Sequence, residues 1–391
     1  MIESFTLTTA DADRWRAVLP ASRSVTGSVE YARVCEQQTG WPARLFVVAD
    51  GEPVAACPYF LRSVRALPFA GDAHGEWWDV CTPEYRGPLS LDGGRSAGRN
   101  GACFADLFAR HCREQRIVAE FAHLNPWDVP EDTIEPLCVK PNRGIAYVDL
   151  TWSAEEIWSR SLSSEGRRRI KVGRRAGVTV RRASSAEDVR EFHRLYLRTM
   201  ERREAPERQR YPLRYFLAVF ETMPASAFLV MAEHQGRVVA GGLFLQDQTN
   251  VYWHLSASDV DFRHVSPEEV YVCETILAAL GHGRRRMVLG GGHPGDAGAS
   301  RFAGNFSPLR APWFTYERVH DAEGYASLMT TWYVRYGMAR STDGLFPAYR
   351  STPSAGASAL GRAPIARAPV ARPRSGSPNG DGRMAAGVSR R

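Results

Sequence analysis

Residues 46–61, Phe-Val-Val-Ala-Asp-Gly-Glu-Pro-Val-Ala-Ala-Cys-Pro-Tyr-Phe-Leu, form two apolar runs hinged on Asp50-Gly51. Residues 229–245, Leu-Val-Met-Ala-Glu-His-Gln-Gly-Arg-Val-Val-Ala-Gly-Gly-Leu-Phe-Leu, repeat that arrangement around Gln235-Gly236. Apolar runs of this length, broken by a residue pair that ends in glycine, predict a β-hairpin in each place. Laying Gly51 on Gly236 brings Val54 onto Val239, Ala55 onto Ala240 and Tyr59 onto Phe244.

The flanks repeat as well. A helical stretch is predicted over 28–39 before the first hairpin and over 186–201 before the second. After the first hairpin come a helix over 101–115 and the strand Ile117–Phe121. After the second come the strand Asn250–Ser256, a helix over 267–281 that stops at Gly281, and the strand Arg286–Leu289. Val270, Ile276 and Leu277 recur in that helix at near-helical spacing, as a half-buried surface helix requires. Ser266 is its expected cap and Pro267 its expected first-turn residue. The strand before the first-copy helix is less clear. The shared order of helix, hairpin, strand, helix, strand predicts one module used twice. The fold class is therefore α/β with mixed sheets, in tandem lobes with a cleft between them. The first lobe is expected over 1–150, a basic linker helix region over 151–182 and the second, catalytic lobe over 183–345. A disordered basic tail is expected over 346–391.

Composition changes this picture in three places. With 391 residues, 44% of them hydrophobic and 24% charged, the chain is long enough for two ordinary globular cores. The net charge of +7 suggests a polyanion partner until it is located. Seven arginines (Arg362, Arg367, Arg372, Arg374, Arg383, Arg390 and Arg391) against Asp381 put nearly all of it in the last residues. The rest is nearly neutral, so its charge is no argument for nucleic acid. The seven cysteines include no Cys-x-x-Cys pair, and the ten histidines include no His-x-x-x-His, so no metal site is expected. The cysteines read as reduced core residues. No apolar run reaches the length of a membrane span, and the first residues do not read as a secretory signal, so a cytoplasmic protein is expected.

Four groups of residues carry a resemblance. They are Glu84-Tyr85-Arg86-Gly87-Pro88 with Glu120–Pro126, and Val148-Asp149-Leu150 through Ile157-Trp158 to Arg168–Gly173. The others are Phe192–Tyr196 with Thr199, Met200 and Arg203, and Val288–Gly292 with Arg301–Pro308. In this order they resemble the Fem-type aminoacyl-tRNA-dependent peptidyltransferases and their CelD-like acetyltransferase relatives, which use the GNAT fold twice. The likeness covers about residues 1–320. It implies that the second lobe holds the donor and the chemistry, and that the cleft between lobes holds the acceptor. By the same likeness Tyr196, Arg203, Tyr211 and Tyr215 line that cleft. One departure stands out: Ala303 follows Phe302 where the relatives commonly carry a lysine thought to stabilise the reacting carbonyl. Arg301 and Arg310 are the nearest cations in sequence.

Amide formation from an activated acyl group requires a proton acceptor for the amine and donors for the oxyanion. There is no Gly-x-Ser-x-Gly elbow, and none is needed without a covalent intermediate. His254 lies in the strand where a GNAT lobe splays its central strands, and is the candidate base; Glu269 and Glu274 are rivals, and Arg301 is the candidate cation. Ser256, Phe302 and Phe306 are assigned to substrate, and Gly290, Gly291 and Gly292 offer close backbone approach. Acetyl-CoA enzymes of this fold cradle pyrophosphate in a glycine-rich run; here the matching stretch is Arg263-His264-Val265-Ser266-Pro267-Glu268-Glu269. It lacks glycine and begins its helix with acids, which favours aminoacyl-tRNA over acetyl-CoA as donor. Six of the nine residues from Arg167 to Arg175 are basic, and Arg167, Arg168, Lys171, Arg174 and Arg175 are assigned to RNA. No tightly bound cofactor is expected. The function expected is aminoacyl transfer to an amine of a cell-wall precursor or small metabolite. The alternatives are an acyl-CoA N-acetyltransferase of polysaccharide or secondary metabolism and a catalytically silent binding protein.

Overall fold

The structure, a computed structural model, describes residues 2–70, 76–84, 86–91, 97–127, 139–290, 297–337 and 345–351. The first half contains β1 (Ile2–Thr8), α1 (Ala12–Val18), α2 (Val29–Thr39), β2 (Ala43–Asp50), β3 (Glu52–Ser63), β4 (Trp78–Cys81), β5 (Leu89–Ser90), α3 (Ala97–Glu114), β6 (Ile117–His123) and β7 (Val139–Asp149). Then come α4 (Ala154–Glu156), α5 (Ser164–Arg175), β8 (Thr179–Arg182), α6 (Ala186–Arg202), α7 (Leu213–Thr222), β9 (Ala227–His234), β10 (Arg237–Gln246) and β11 (Asn250–Ser258). The last elements are α8 (Pro267–Leu280), β12 (Arg286–Gly290), α9 (Ala297–Gly304), β13 (Arg310–Val319) and α10 (Ala322–Tyr336).

Both predicted hairpins form. Gln235 (φ 51°) and Gly236 (φ 73°) make the two-residue turn that joins His234 to Arg237, and Gly51 (φ 75°) turns the first copy. Such positive φ matches the right-handed twist of the flanking strands. Ser28 caps α2 by accepting the Tyr31 N–H, and Ser185 with Asp188 makes a reciprocal capping box on α6. The strand left unclear in the first copy is β4.

All strands join one sheet, ordered β1-β2-β3-β4-β6-β13-β7-β12-β11-β10-β9-β8, with β5 on β3. Its two halves mirror each other. Each runs inward from antiparallel strands to one parallel step, β4 on β6 and β11 on β12. Each then takes an antiparallel strand from the other half of the sequence: β13 pairs with β6, and β7 pairs with β12. β13 and β7 also pair with each other at the centre.

Three expectations need adjusting. The segment expected as a linker is built into the second half: β8 pairs with β9, and α5 packs on α8. Ser266 does not cap α8; it is left-handed (φ 50°, ψ 48°) and makes no side-chain cap bond. Residues 346–351, placed in the tail, are packed. Tyr349 is buried, and the Arg350 guanidinium pairs with buried Asp79 at 2.6 Å. Arg62 shares that carboxylate at 2.5 Å. The tail beyond Ser351 lies outside the described residues. The described cysteines Cys35, Cys57, Cys81, Cys112 and Cys273 are all free thiols.

Candidate active site

The two parallel steps of the sheet differ. In the first half β4 and β6 stay paired along all of β4, and the Thr82 N–H carries the ladder on to Phe121 O at 3.1 Å. In the second half β11 and β12 pair only from Asn250↔Arg286 to Tyr252↔Val288. β11 then runs on to Ser258 and β12 to Gly290 without partnering each other, so the edge of β11 facing β12 has no strand partner beyond Tyr252.

At that point β11 also carries a bulge. On β10, Phe244 faces Trp253 and the next residue back, Leu243, faces Leu255, so His254 is the extra residue. A bulge re-aims a side chain and breaks the alternation of faces. His254 shares the face of Tyr252, two residues before it, and the bulge brings Leu255 onto that face as well, against α2 and α7. Its Nε2 lies 2.7 Å from the Tyr215 hydroxyl oxygen. The rings of Tyr31, Tyr211 and Tyr215 surround it, with centroids 6.4, 6.5 and 6.3 Å away. Burial lowers the imidazole from the usual 6.5 to about 4, so the ring is neutral at pH 7. Burial likewise raises Tyr31, Tyr211 and Tyr215, which remain protonated donors.

A small pocket opens beside His254, lined by Thr26, Tyr31, Glu84, Leu245, Tyr252, Trp253 and His254. Its walls come from both halves of the sequence. The halves are fastened there: the Gln248 N–H donates to Ser22 O at 2.7 Å, and buried Arg86 faces buried Asp247 beneath Tyr252. Tyr31 and Val34 of α2 join the core formed by Tyr215, Val219 and Tyr252.

The other assigned residues are dispersed. Tyr215 meets His254, but Tyr196 is fully buried and donates its hydroxyl to Gln209 O, so it is core. Phe306 is core too, whereas half-buried Phe302 lies tilted at 42° with its ring centre 5.6 Å from that of Trp253 at the pocket wall. Ser256 points to the opposite face of β11 from His254, because the bulge shifts the alternation. Glu269 is turned away from the cavity; buried near the start of α8, it pairs with Arg169 at 3.3 Å. Arg301 is exposed on α9, and Arg310 donates to Ser307 O and Leu309 O. Ala303 is buried in the core. Gly290 ends β12 with φ 85°; Gly291 and Gly292 lie outside the described residues.

Most of the α5 cations have partners within the fold. Arg167 donates to the carbonyls of Leu162, Trp158 and Ser159, and Arg168 pairs with Glu165. Arg174 pairs with Glu274, and Lys171 lies over Trp158. Arg175 is exposed. A different cationic cluster forms where β11 ends and α8 begins. Arg202 donates to Ser258 O, and its pKa is lowered by burial and then by Arg263 and Arg203 beside it. Glu268 faces the same cluster, its carboxyl raised by burial against the pull of Arg203. Sequence reasoning missed Arg202 and gave Glu84 no role, although Glu84 opens one of the motifs behind the resemblance.

Residues 160–298 match the family model of the GNAT acetyltransferase domain. This segment contains α5 to β12, with the opened parallel step and His254. Residues 160–298 are thus an acyltransferase domain of the GNAT type. No curated protein matches the chain. Among solved structures, FemX aligns with TM-score 0.63 at 14% identity, over 83% of this chain and 99% of that one. The C-terminal domain of an Agrobacterium fabrum protein described as a lysylphosphatidylglycerol synthetase aligns with TM-score 0.54 at 13% identity, over 84% and 98%. A conserved Bacteroides thetaiotaomicron protein of unknown function gives TM-score 0.54 at 13% identity, over 82% and 100%. All three share the fold of this chain. Among the described residues no helix is long and apolar enough to cross a membrane, and no group of side chains is arranged to hold a metal.

Proposed function

We propose that the acyltransferase forms an amide by moving an acyl group, seated in the gap between β11 and β12, onto an amine in the cavity beside His254. The observation that carries this reading is the position of His254: a neutral imidazole stands on β11 just beyond the point where the parallel step with β12 comes apart. The amine nitrogen attacks the acyl carbon, the bond from that carbon to the leaving oxygen or sulfur breaks, and one amine proton ends on the leaving group. In the tautomer that carries its proton on Nε2 and donates it to the Tyr215 oxygen, Nδ1 is the basic nitrogen that accepts the amine proton and passes it to the leaving group. The Tyr215 bond fixes the ring's orientation. Backbone N–H groups on the unpaired edge of β11 are the donors for the oxyanion, taking the place of the lysine that Ala303 replaces.

The donor we favour is an aminoacyl ester on tRNA, and the acceptor class is an amine of a cell-wall precursor or small metabolite. The start of α8 supports this donor: it has no glycine cradle, and Glu268 and Glu269 occupy its first turn. Arg202, Arg203 and Arg263 are the phosphate contacts, rather than the internally paired cations of α5. The acetyltransferase domain match favours a second reading, in which acetyl-CoA is the donor. Purified protein incubated with labelled aminoacyl-tRNA or labelled acetyl-CoA and a panel of amines separates the two. Product from charged tRNA is expected, reduced about a hundredfold in His254→Asn. Product from acetyl-CoA alone overturns the donor. Undiminished product in His254→Asn overturns the site.

A further inference from the structure

The face of β11 opposite His254 carries two donors that the fold leaves unsatisfied. We infer that the Trp253 indole N–H and the Tyr271 hydroxyl bind the carbonyl oxygen of the acyl donor and hold its charge during transfer, a reading that rests on the acyl-transfer site above. Trp253 is the first residue of β11 beyond its last pair with β12, Tyr252↔Val288. Alternation puts its ring on the far face from Tyr252 and His254, in the core with Phe244, Tyr271 of α8 and Phe302 of α9. Among the described residues neither Trp253 Nε1 nor the Tyr271 hydroxyl oxygen has a hydrogen-bond partner, and both atoms are buried. Burial and then Glu268 raise the Tyr271 phenol well above its ordinary value, with the Trp253 N–H pulling the other way, so the hydroxyl keeps its proton and can donate it. A buried donor without a partner costs the fold its lost hydration, and two beside each other call for a ligand that pairs them.

Gly242 supplies the room. It faces Ser256 across the β10–β11 ladder, and a Cβ there would lie 2.9 Å from Trp253 Nε1 and 3.0 Å from Tyr271 Cε2. Trp253, His254, Leu255 and Ser256 are half-buried between fully buried stretches of β11, so the way in is the unpaired edge of the strand. With its carbon at that edge, the acyl group has the amine on the His254 side and its own oxygen on the Trp253 side. As the amine nitrogen bonds to the carbon, the π electrons of the carbonyl move onto that oxygen. When they return, the bond to the leaving oxygen or sulfur breaks. The donor pair binds the oxygen most strongly while it carries charge, together with the backbone N–H groups of β11.

Tyr271→Phe removes one donor and keeps the ring. Because that hydroxyl has no partner, the variant should unfold at the same urea midpoint as the wild type or a higher one. Its kcat for transfer should fall about a hundredfold with the amine KM unchanged. Gly242→Ala keeps both donors, crowds the space beside them and should also lose kcat. A lower urea midpoint in Tyr271→Phe would show the hydroxyl bonded within the fold and overturns the inference. An undiminished kcat in that variant overturns it too, while His254→Asn still judges the base separately. If the wild type transfers from neither charged tRNA nor acetyl-CoA, the acyl-transfer reading falls and binding decides this one. Puromycin, an aminoacyl nucleoside joined by an unreactive amide, and acetyl-CoA are then titrated into isotope-labelled full chain, and the indole N–H resonance deleted by Trp253→Phe is followed. A shift with either probe supports the donor pair; no shift with either overturns it.

Discussion

Holding His254 neutral in the fold has a measurable consequence for stability. The folded imidazole titrates at about 4 and the unfolded one at about 6.5. The unfolded chain therefore binds the proton more tightly, and acid favours unfolding. The contribution is fully favourable above pH 6.5 and is lost as pH falls toward 4. Between pH 7 and pH 5 this one group should lower the unfolding free energy by about 2 kcal/mol. His111 and His193 are also lowered by burial and give a slope of the same sign. The measurement must therefore be a difference. In His254→Asn nothing titrates at that position. Urea unfolding of both proteins at pH 7 and pH 5, compared at equal m, isolates the term. The wild type should lose about 2 kcal/mol more than the variant over that range. Parallel losses in the two proteins would mean that His254 is solvated and keeps an ordinary pKa. The case for a neutral, buried imidazole would then fail.

Three further outcomes follow from other contacts. Tyr215→Phe removes the partner of His254 Nε2 and should lower kcat about tenfold with the amine KM unchanged, read from steady-state transfer kinetics. Gly166→Ala places a Cβ 2.2 Å from Asn305 O where α5 crosses that loop, and should cost about 2–3 kcal/mol in a denaturant melt. Asp79→Ala strips the shared counter-ion from Arg62 and Arg350, both largely buried, and should cost about 3–5 kcal/mol by the same measurement.

Much of the fold was legible in the sequence because it rests on local signals. Hairpins with glycine turns, capped helices and their repeated order declare themselves over a few residues, and Gln235-Gly236 adopts the expected turn. What was not legible depends on distant pairing. Nothing local to Val139–Asp149 says that it will pair with β12, or that Arg310–Val319 will return to β6. The same holds at the site. His254 was identifiable from its strand, but the parting of β11 from β12 and the Tyr215 partner beside it exist only in the folded chain. Tyr196 and Phe306 read as ligands because aromatic side chains near a site and aromatic core residues look alike in one dimension. The α5 cations read as an RNA surface because their partners, Glu274 and the Leu162 carbonyl, are contacts that only folding creates.

The exchange of β7 and β13 explains how a duplicated module came to have one open site rather than two. With the central strands swapped, neither half is complete without the other, and the halves are free to diverge in what their parallel steps do. In the first half the step is zipped to its end, and the face of β4 that carries Asp79 is covered by Tyr349 and Arg350. Leu328 and Trp332 of α10 pack over the neighbouring Val118. In the second half the equivalent step parts after Tyr252 and its face stays open as a cavity. The closed half is not idle: its α2 supplies Tyr31 to the pocket wall. Loosening the first half should therefore weaken amine binding before it touches the donor side. Asp79→Ala, assayed below its melting range, should raise the amine KM more than the donor KM. The opposite order would show that the first half merely supports the second.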